Sequence, residues 1–290
     1  MNADAAENRH AMQARIASEL DVTRDFDAAR EVERRIEFLA DYLGITGRKA
    51  YVLGISGGVD SLLAGYLAQK AVERVRHQGR AAQFHAVRLP YGIQHDESAA
   101  QKCLASIKPD RVLAVDIKPA CDSLMTALRG GLEFRDAAQE DFVAGNIKAR
   151  QRMIAQYAIA GGCDGLVIGT DHAAEALMGF FTKFGDGAAD VTPLAGLNKR
   201  RVRAMARALG APEDLVMKVP TADLESLAPM RPDEDAFGVS YDQIDDFLEG
   251  KPVPEDAVEV IIRTYRATEH KRALPVGPGP RRAEGRAKSD

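Results

Sequence analysis

The run Tyr51-Val52-Leu53-Gly54-Ile55 offers water almost nothing on either face. A strand turns successive side chains to opposite sides, so a run apolar at every step needs cover on both. Such strands belong to parallel sheets sandwiched between helices. Three more short runs read as strands, at residues 84–89, 112–115 and 166–168. Helical stretches separate them, at 60–78, 95–107 and 136–160, and Asp171 is placed to cap the helix that follows the last strand. The alternation predicts an α/β fold, a doubly wound open parallel sheet with helices on both faces and right-handed connections.

Further helices extend the pattern at both ends. Residues 5–43 read as two helices, with Ile16 and Leu20 on one face and Val32, Ile36, Leu39 and Leu43 on another. Residues 180–193, rich in Gly and Asp, and 220–238, rich in Pro, read as loops around a helix at 198–209. Two closing helices follow at 241–248 and 254–268. Residues 1–274 are read as one domain, and the Pro, Gly and Arg of 275–290 as a disordered tail.

Composition narrows the function. The net charge of −4 gives no hint of nucleic-acid or membrane binding, and no apolar run is long enough to span a bilayer. The start of the chain is polar and acidic, unlike a secretory signal. Cys103, Cys121 and Cys163 are scattered without metal or disulfide spacing, which fits reduced core thiols in a cytoplasmic protein.

The chemistry is concentrated after the first strand, in Ser56-Gly57-Gly58-Val59-Asp60-Ser61. Glycines let a backbone approach a ligand closely and present successive N–H groups. The N-terminus of the next helix adds partial positive charge, and Ser56 and Ser61 add hydroxyls. Together with Gly54 and Ile55 at the strand end, this makes an anion cradle at the carboxyl edge of the sheet. Asp60 repels phosphate unless it holds Mg²⁺, which bridges phosphate oxygens. A plain strand-to-helix turn is the blander alternative. No lysine of the common phosphate loop is present.

The loop resembles that of the PP-loop ATP pyrophosphatases, which split ATP between its α- and β-phosphates. Further segments resemble the ammonia-dependent NAD synthetases within that group: RLPYG at 88–92, GNIKAR at 145–150, GTDHAAEA at 169–176 and GFFTKFGDG at 179–187. LNKR at 197–200, PTADL at 220–224, YDQIDD at 241–246 and TEHKR at 268–272 continue the series in family order. The resemblance implies a homodimer that converts nicotinate adenine dinucleotide, ATP and ammonia into NAD, AMP and pyrophosphate with Mg²⁺. It implies that Glu175 shares the ion with Asp60, and that Thr170, Lys199 and Thr221 contact ATP. It further implies that Arg150, Lys183, Asp190, His270 and Lys271 contact the dinucleotide. A solvated helix-start carboxylate and a plain surface lysine remain the alternatives for Glu175 and Lys199.

Asp186, between Gly185 and Gly187, is the candidate for capturing and deprotonating ammonium, with a simple turn residue as the alternative. His172 is read as structural. Too few residues precede the loop for a fused glutamine amidase, so free ammonia is the expected nitrogen source. Two features depart from the family pattern: Val59 where Gln is frequent, and a basic, Pro/Gly-rich end in place of an aromatic, acidic one. Rival readings are another amidating enzyme of the same loop class and a nucleotide-binding regulator without catalysis. A basic face would favour a tRNA-modifying enzyme, and the acidic chain shows none.

Overall fold

The computed structural model describes residues 3–92, 97–221, 224, 227 and 231–278. The elements run α1 (Ala3–Glu19), α2 (Ala28–Thr46), β1 (Ala50–Gly54), α3 (Val59–His77), β2 (Gln83–Arg88), α4 (Glu97–Ile107) and β3 (Arg111–Ala114). They continue α5 (Lys118–Arg129), α6 (Ala137–Gly162), β4 (Gly165–Val167), α7 (Ala173–Met178) and α8 (Lys199–Ala208). The chain closes with α9 (Glu213–Val216), α10 (Asp233–Phe237), α11 (Tyr241–Leu248), α12 (Glu255–Ala267) and α13 (Glu269–Arg272).

The four strands form one sheet in the order β3-β2-β1-β4, every pair parallel. The chain winds one way from β1 to β2 and β3, then crosses back to place β4 on the other side of β1. That reversal opens a crevice at the carboxyl ends of β1 and β4, where sheets of this type bind ligands. The expected parallel α/β sheet is therefore present.

The strands sort their side chains as the apolar run requires. Tyr51, Leu53 and Ile55 pack with Phe84 and Ala86 against α2, α3, α4 and α8. Val52, Val87 and Val167 point the other way, against Cys121 and Met125 of α5 and Ile147 and Ala160 of α6. A third cluster joins Ile16 of α1, Leu177 of α7, Ile244 and Phe247 of α11 and Ile261 of α12. It anchors the terminal helices behind the crevice. Two of the cysteines, Cys103 and Cys121, are buried and all three are free.

Several expectations need correction. α5 was not anticipated: only Cys121 and Met125 of it are buried, too few to stand out as a periodic stripe. The loop expected at 220–238 contains α10, begun by Pro232 with its preset φ of −59°. The cap of α7 is His172 rather than Asp171. His172 has the extended backbone of a cap, and its Nδ1 accepts the Glu175 N–H at 3.4 Å. Of the 275–290 tail, residues 275–278 have no regular structure, and 279–290 lie outside the described residues.

Candidate active site

The glycine loop takes the shape that its sequence demands. Gly57 has φ +88°, and a Cβ there would lie 2.8 Å from the Ala100 backbone nitrogen. No other residue fits without moving α4. Gly58 is the N-cap of α3 and has no side chain to cap it, which leaves the helix N-terminus open to an outside anion. The two serines brace the turn. Their hydroxyls are 3.1 Å apart, Ser61 Oγ donates to Gly58 O, and Ser56 Oγ accepts the Gly58 N–H. Gln156 of α6 accepts the N–H of Gly54 at 2.8 Å and ties the strand end to the opposite layer.

The loop forms one wall of a cleft of about 460 Å³. Gly54, Ile55, Ser56, Gly58, Val59, Asp60 and Ser61 line this wall, while Gly57 backs it. Thr170, Glu175, Lys199 and Thr221 face them, and Asp186 and Lys271 stand at the other end. The sequence-selected positions for ATP, metal and ammonium are thus gathered in one crevice from β1, α3, α7, α8 and the loops between.

Four charged or polar groups meet beside the loop. Lys199 Nζ donates to Asp60 Oδ2 at 2.7 Å. His172 Nε2 lies 3.4 Å from Asp60 Oδ1, 3.6 Å from Glu175 Oε2 and 3.5 Å from Lys199 Nζ. The ligand atoms of Asp60, His172 and Glu175 all fall within 4.8 Å of one another. Burial alone would raise the Asp60 pKa, but Lys199 and His172 outweigh it and hold this carboxyl well below the usual range. Burial, together with Asp60, pushes Glu175 the other way, up to about 8. Burial works against the Lys199 charge too, yet Asp60 prevails and the ammonium is held on. Asn198 caps α8, and Asp245 accepts the N–H groups of Lys199 and Arg200 at 3.0 and 2.7 Å. These contacts fix where Lys199 starts.

A second charged group lies at the far end. Asp186 accepts the Thr182 N–H at 2.9 Å. Burial among protein groups pushes its carboxyl up. Asp171, beside Gly187, is pushed up to about 8 by burial and by the Asp186 charge. Lys271 donates to Gly179 O, sits 4.9 Å from the Phe181 ring and has its pKa lowered by burial.

The remaining substrate candidates lie outside the cleft. Arg150 donates to Lys183 O at 3.2 Å, and Lys183 donates to the carbonyls of His270 and Ala273. Arg150, Lys183 and His270 therefore form a patch between α6 and α13. Asp190 accepts the Val167 N–H at 2.7 Å and closes the end of β4. Sequence reasoning missed Gln156, Asp245 and Arg152, which also lines the cleft. Gln156 and Arg152 stand on a helix without a motif, and Asp245 lies in the YDQIDD segment, whose letters do not show which carboxylate meets the start of α8. His172, read as structural, is both a cap and the centre of the four-group cluster; its place between Thr170 and Glu175 was the available signal.

A parallel sheet, a glycine cradle at its switch point and a carboxylate pair beside it define an ATP-handling α/β enzyme. A family model described as NAD synthase matches residues 31–275, and the chain belongs to that family. It is 64% identical over 261 residues to the NH(3)-dependent NAD(+) synthetase of Burkholderia mallei strain SAVP1, covering 90% of this chain and 92% of that protein. It is 64% identical over 269 residues to the protein of that description from Streptomyces coelicolor, covering 92% and 98%. The crystal structure of NAD+ synthetase from Burkholderia pseudomallei superposes with a TM-score of 0.80 at 61% identity, covering 92% of this chain and 98% of that one.

Proposed function

We propose that the chain amidates the nicotinate carboxylate of nicotinate adenine dinucleotide with ammonia. ATP is the co-substrate, and NAD, AMP and pyrophosphate are the products. The observation that carries this reading is the cleft itself. An anion cradle occupies one end and the hard-to-ionise carboxylate of Asp186 the other, with room between for the reacting groups.

The carboxylate of the dinucleotide attacks the α-phosphorus of ATP, and pyrophosphate leaves. The loop N–H groups, the α3 N-terminus and Lys199 take up the charge that develops on it. Thr170 and Thr221 add hydroxyls along the same wall. Asp60 and Glu175 fit a Mg²⁺ ion. Two oxygen donors converge there beside His172, and Asp60 Oδ1 is buried with only the His172 ring nitrogen 3.4 Å away and no well-formed hydrogen bond among the described residues, a state that a cation relieves. When bound, the ion would neutralise phosphate charge.

The acyl adenylate then meets ammonia. At neutral pH ammonia is mostly ammonium, so it must be held as a cation and stripped of a proton. Asp186 holds it, and a carboxylate with a raised pKa accepts the proton more readily than an ordinary one. AMP leaves as the amide forms.

The outer patch of Arg150, Lys183 and His270 serves the far half of the dinucleotide, beside a second subunit. α6 supports a homodimer: Phe142, Ile154 and Tyr157 are 60%, 51% and 36% exposed on it, too much apolar surface for an outer helix. Sedimentation at assay concentration should give a dimer, and a fully active monomer would contradict this. Among the described residues no helix is long and apolar enough to cross a membrane. We read residues 1–274 as one working unit acting in the cytoplasm.

The test is product formation by the purified chain. Ammonium with ATP and the dinucleotide should yield NAD and pyrophosphate in equal amounts, and glutamine should yield little. Pyrophosphate release that ignores the dinucleotide would defeat the reading.

A further inference from the structure

Lys199 is a charged group almost wholly buried at the wall of the cleft. Its side chain is 1% exposed, and it opens α8, where the helix dipole disfavours a cation. Nζ lies 2.7 Å from Asp60 Oδ2, 3.5 Å from His172 Nε2 and 5.0 Å from the centre of the Tyr241 ring. The ammonium therefore sits against the very group of side chains that converges on a metal position. One oxygen of Asp60 is matched by lysine; the other, Oδ1, is buried with the His172 ring nitrogen 3.4 Å away and no well-formed hydrogen bond among the described residues.

A divalent ion bound to Asp60 would stand a few ångströms from this ammonium. Two cations that close, in a place screened from water, repel strongly. The repulsion falls if a polyphosphate brings negative charge and gives Lys199 a new partner. The place for that partner is adjacent, because Asp60 is the second residue of α3 and the open anion cradle immediately precedes it.

We propose that Lys199 is a resident counter-cation, which occupies the charge position of the metal in the ligand-free protein and yields it only when polyphosphate arrives. The proposal rests on the reading of Asp60 and Glu175 as the metal carboxylates. It makes metal and nucleotide bind as a linked pair, each weak alone. It also keeps Asp60 from standing buried and uncompensated between turnovers.

Mn²⁺ is the probe, with the free ion counted by electron paramagnetic resonance in the absence of nucleotide. Lys199→Gln should bind Mn²⁺ at least about ten-fold more tightly than the unaltered protein, because the competing cation is gone. Lys199→Arg, which keeps the charge, should stay near the unaltered value. Adding pyrophosphate should tighten Mn²⁺ binding in the unaltered protein far more than in Lys199→Gln. Mn²⁺ binding no tighter in Lys199→Gln than in the unaltered protein would overturn the proposal. Thermal melts check that the variants fold. If neither folds, the unaltered protein still decides, because equal Mn²⁺ affinity with and without pyrophosphate would overturn the proposal. The double variant Asp60→Asn with Lys199→Gln separates the two readings. Loss of the gain supports both, and a gain that survives would overturn the metal assignment itself.

Discussion

Asp60 and Asp186, at the two ends of the cleft, are held in opposite electrostatic states, with Glu175 beside Asp60 pushed up as Asp186 is. Beside the glycine loop, Asp60 has an ammonium at 2.7 Å and stays ionised in spite of its burial. At the far end Asp186 lines the cleft, its charge reaches Asp171, and the nearby Lys271 is itself weakened by burial and spent on the Gly179 carbonyl. Burial outweighs the positive charge within reach, and both carboxyls rise above their ordinary range. Similar residues thus make an end that exchanges cations around phosphate and an end that accepts a proton. The sequence of steps proposed for this chain, adenylation and then amidation, needs one of each.

Breaking the first end should cost most. Asp60→Asn removes the ionised carboxylate but keeps its shape, so the fold should survive while activity falls by about 10²-fold or more. Steady-state rates alongside a melting curve make the check, and near-normal turnover would sink the assignment. Breaking the second end should be selective. Asp186→Asn should slow amide formation by about 10²-fold, the usual worth of a positioned base, and raise the ammonium concentration needed for half-saturation. Unchanged ammonium dependence would reduce Asp186 to a turn residue.

The smallest effect sharpens the contrast through pH. Glu175 has its carboxyl raised from 4.5 to about 8 in the folded, ligand-free protein. A raised carboxyl favours the folded state at low pH, where both states hold the proton. That contribution drains away as pH climbs from about 4.5 to about 8, since only the unfolded chain ionises freely. Glu175→Gln cannot ionise, so it should gain stability relative to the unaltered protein across this window and hold the gain above it. Melting temperatures without ligand at about pH 5 and pH 9 test the sign. A difference that shrinks with pH would show that Glu175 is ionised when free.

What was legible in the sequence follows from how local each signal is. β1 and its loop were readable because a fully apolar run followed by Gly-Gly and a helix is a local pattern. The structure shifts that strand by only one residue. α5 was not readable because its two buried residues, Cys121 and Met125, make no periodic stripe in the sequence. The cap of α7 was misplaced because Asp and His both precede the helix. What decides between them is tertiary: His172 has the extended cap backbone, and Asp171 lies beside Gly187. Of the partners of His172 only Glu175 is local; Asp60 of α3 and Lys199 of α8 are remote in the chain, so the sequence could hint at a role but not at its place in the centre of a charged cluster. The segment resemblance brought Arg150, Lys183, His270 and Asp190 forward by their letters. Only the fold shows that the first three share an outer patch and that Asp190 serves the end of β4.

The division between the two ends is tested most directly by exchange of labelled pyrophosphate into ATP, with the dinucleotide present and ammonium left out. This reads adenylation without amidation. The account predicts that the unaltered protein and Asp186→Asn exchange label at similar rates, whereas Asp60→Asn exchanges little. Exchange lost equally in both variants, or kept in Asp60→Asn, would contradict it.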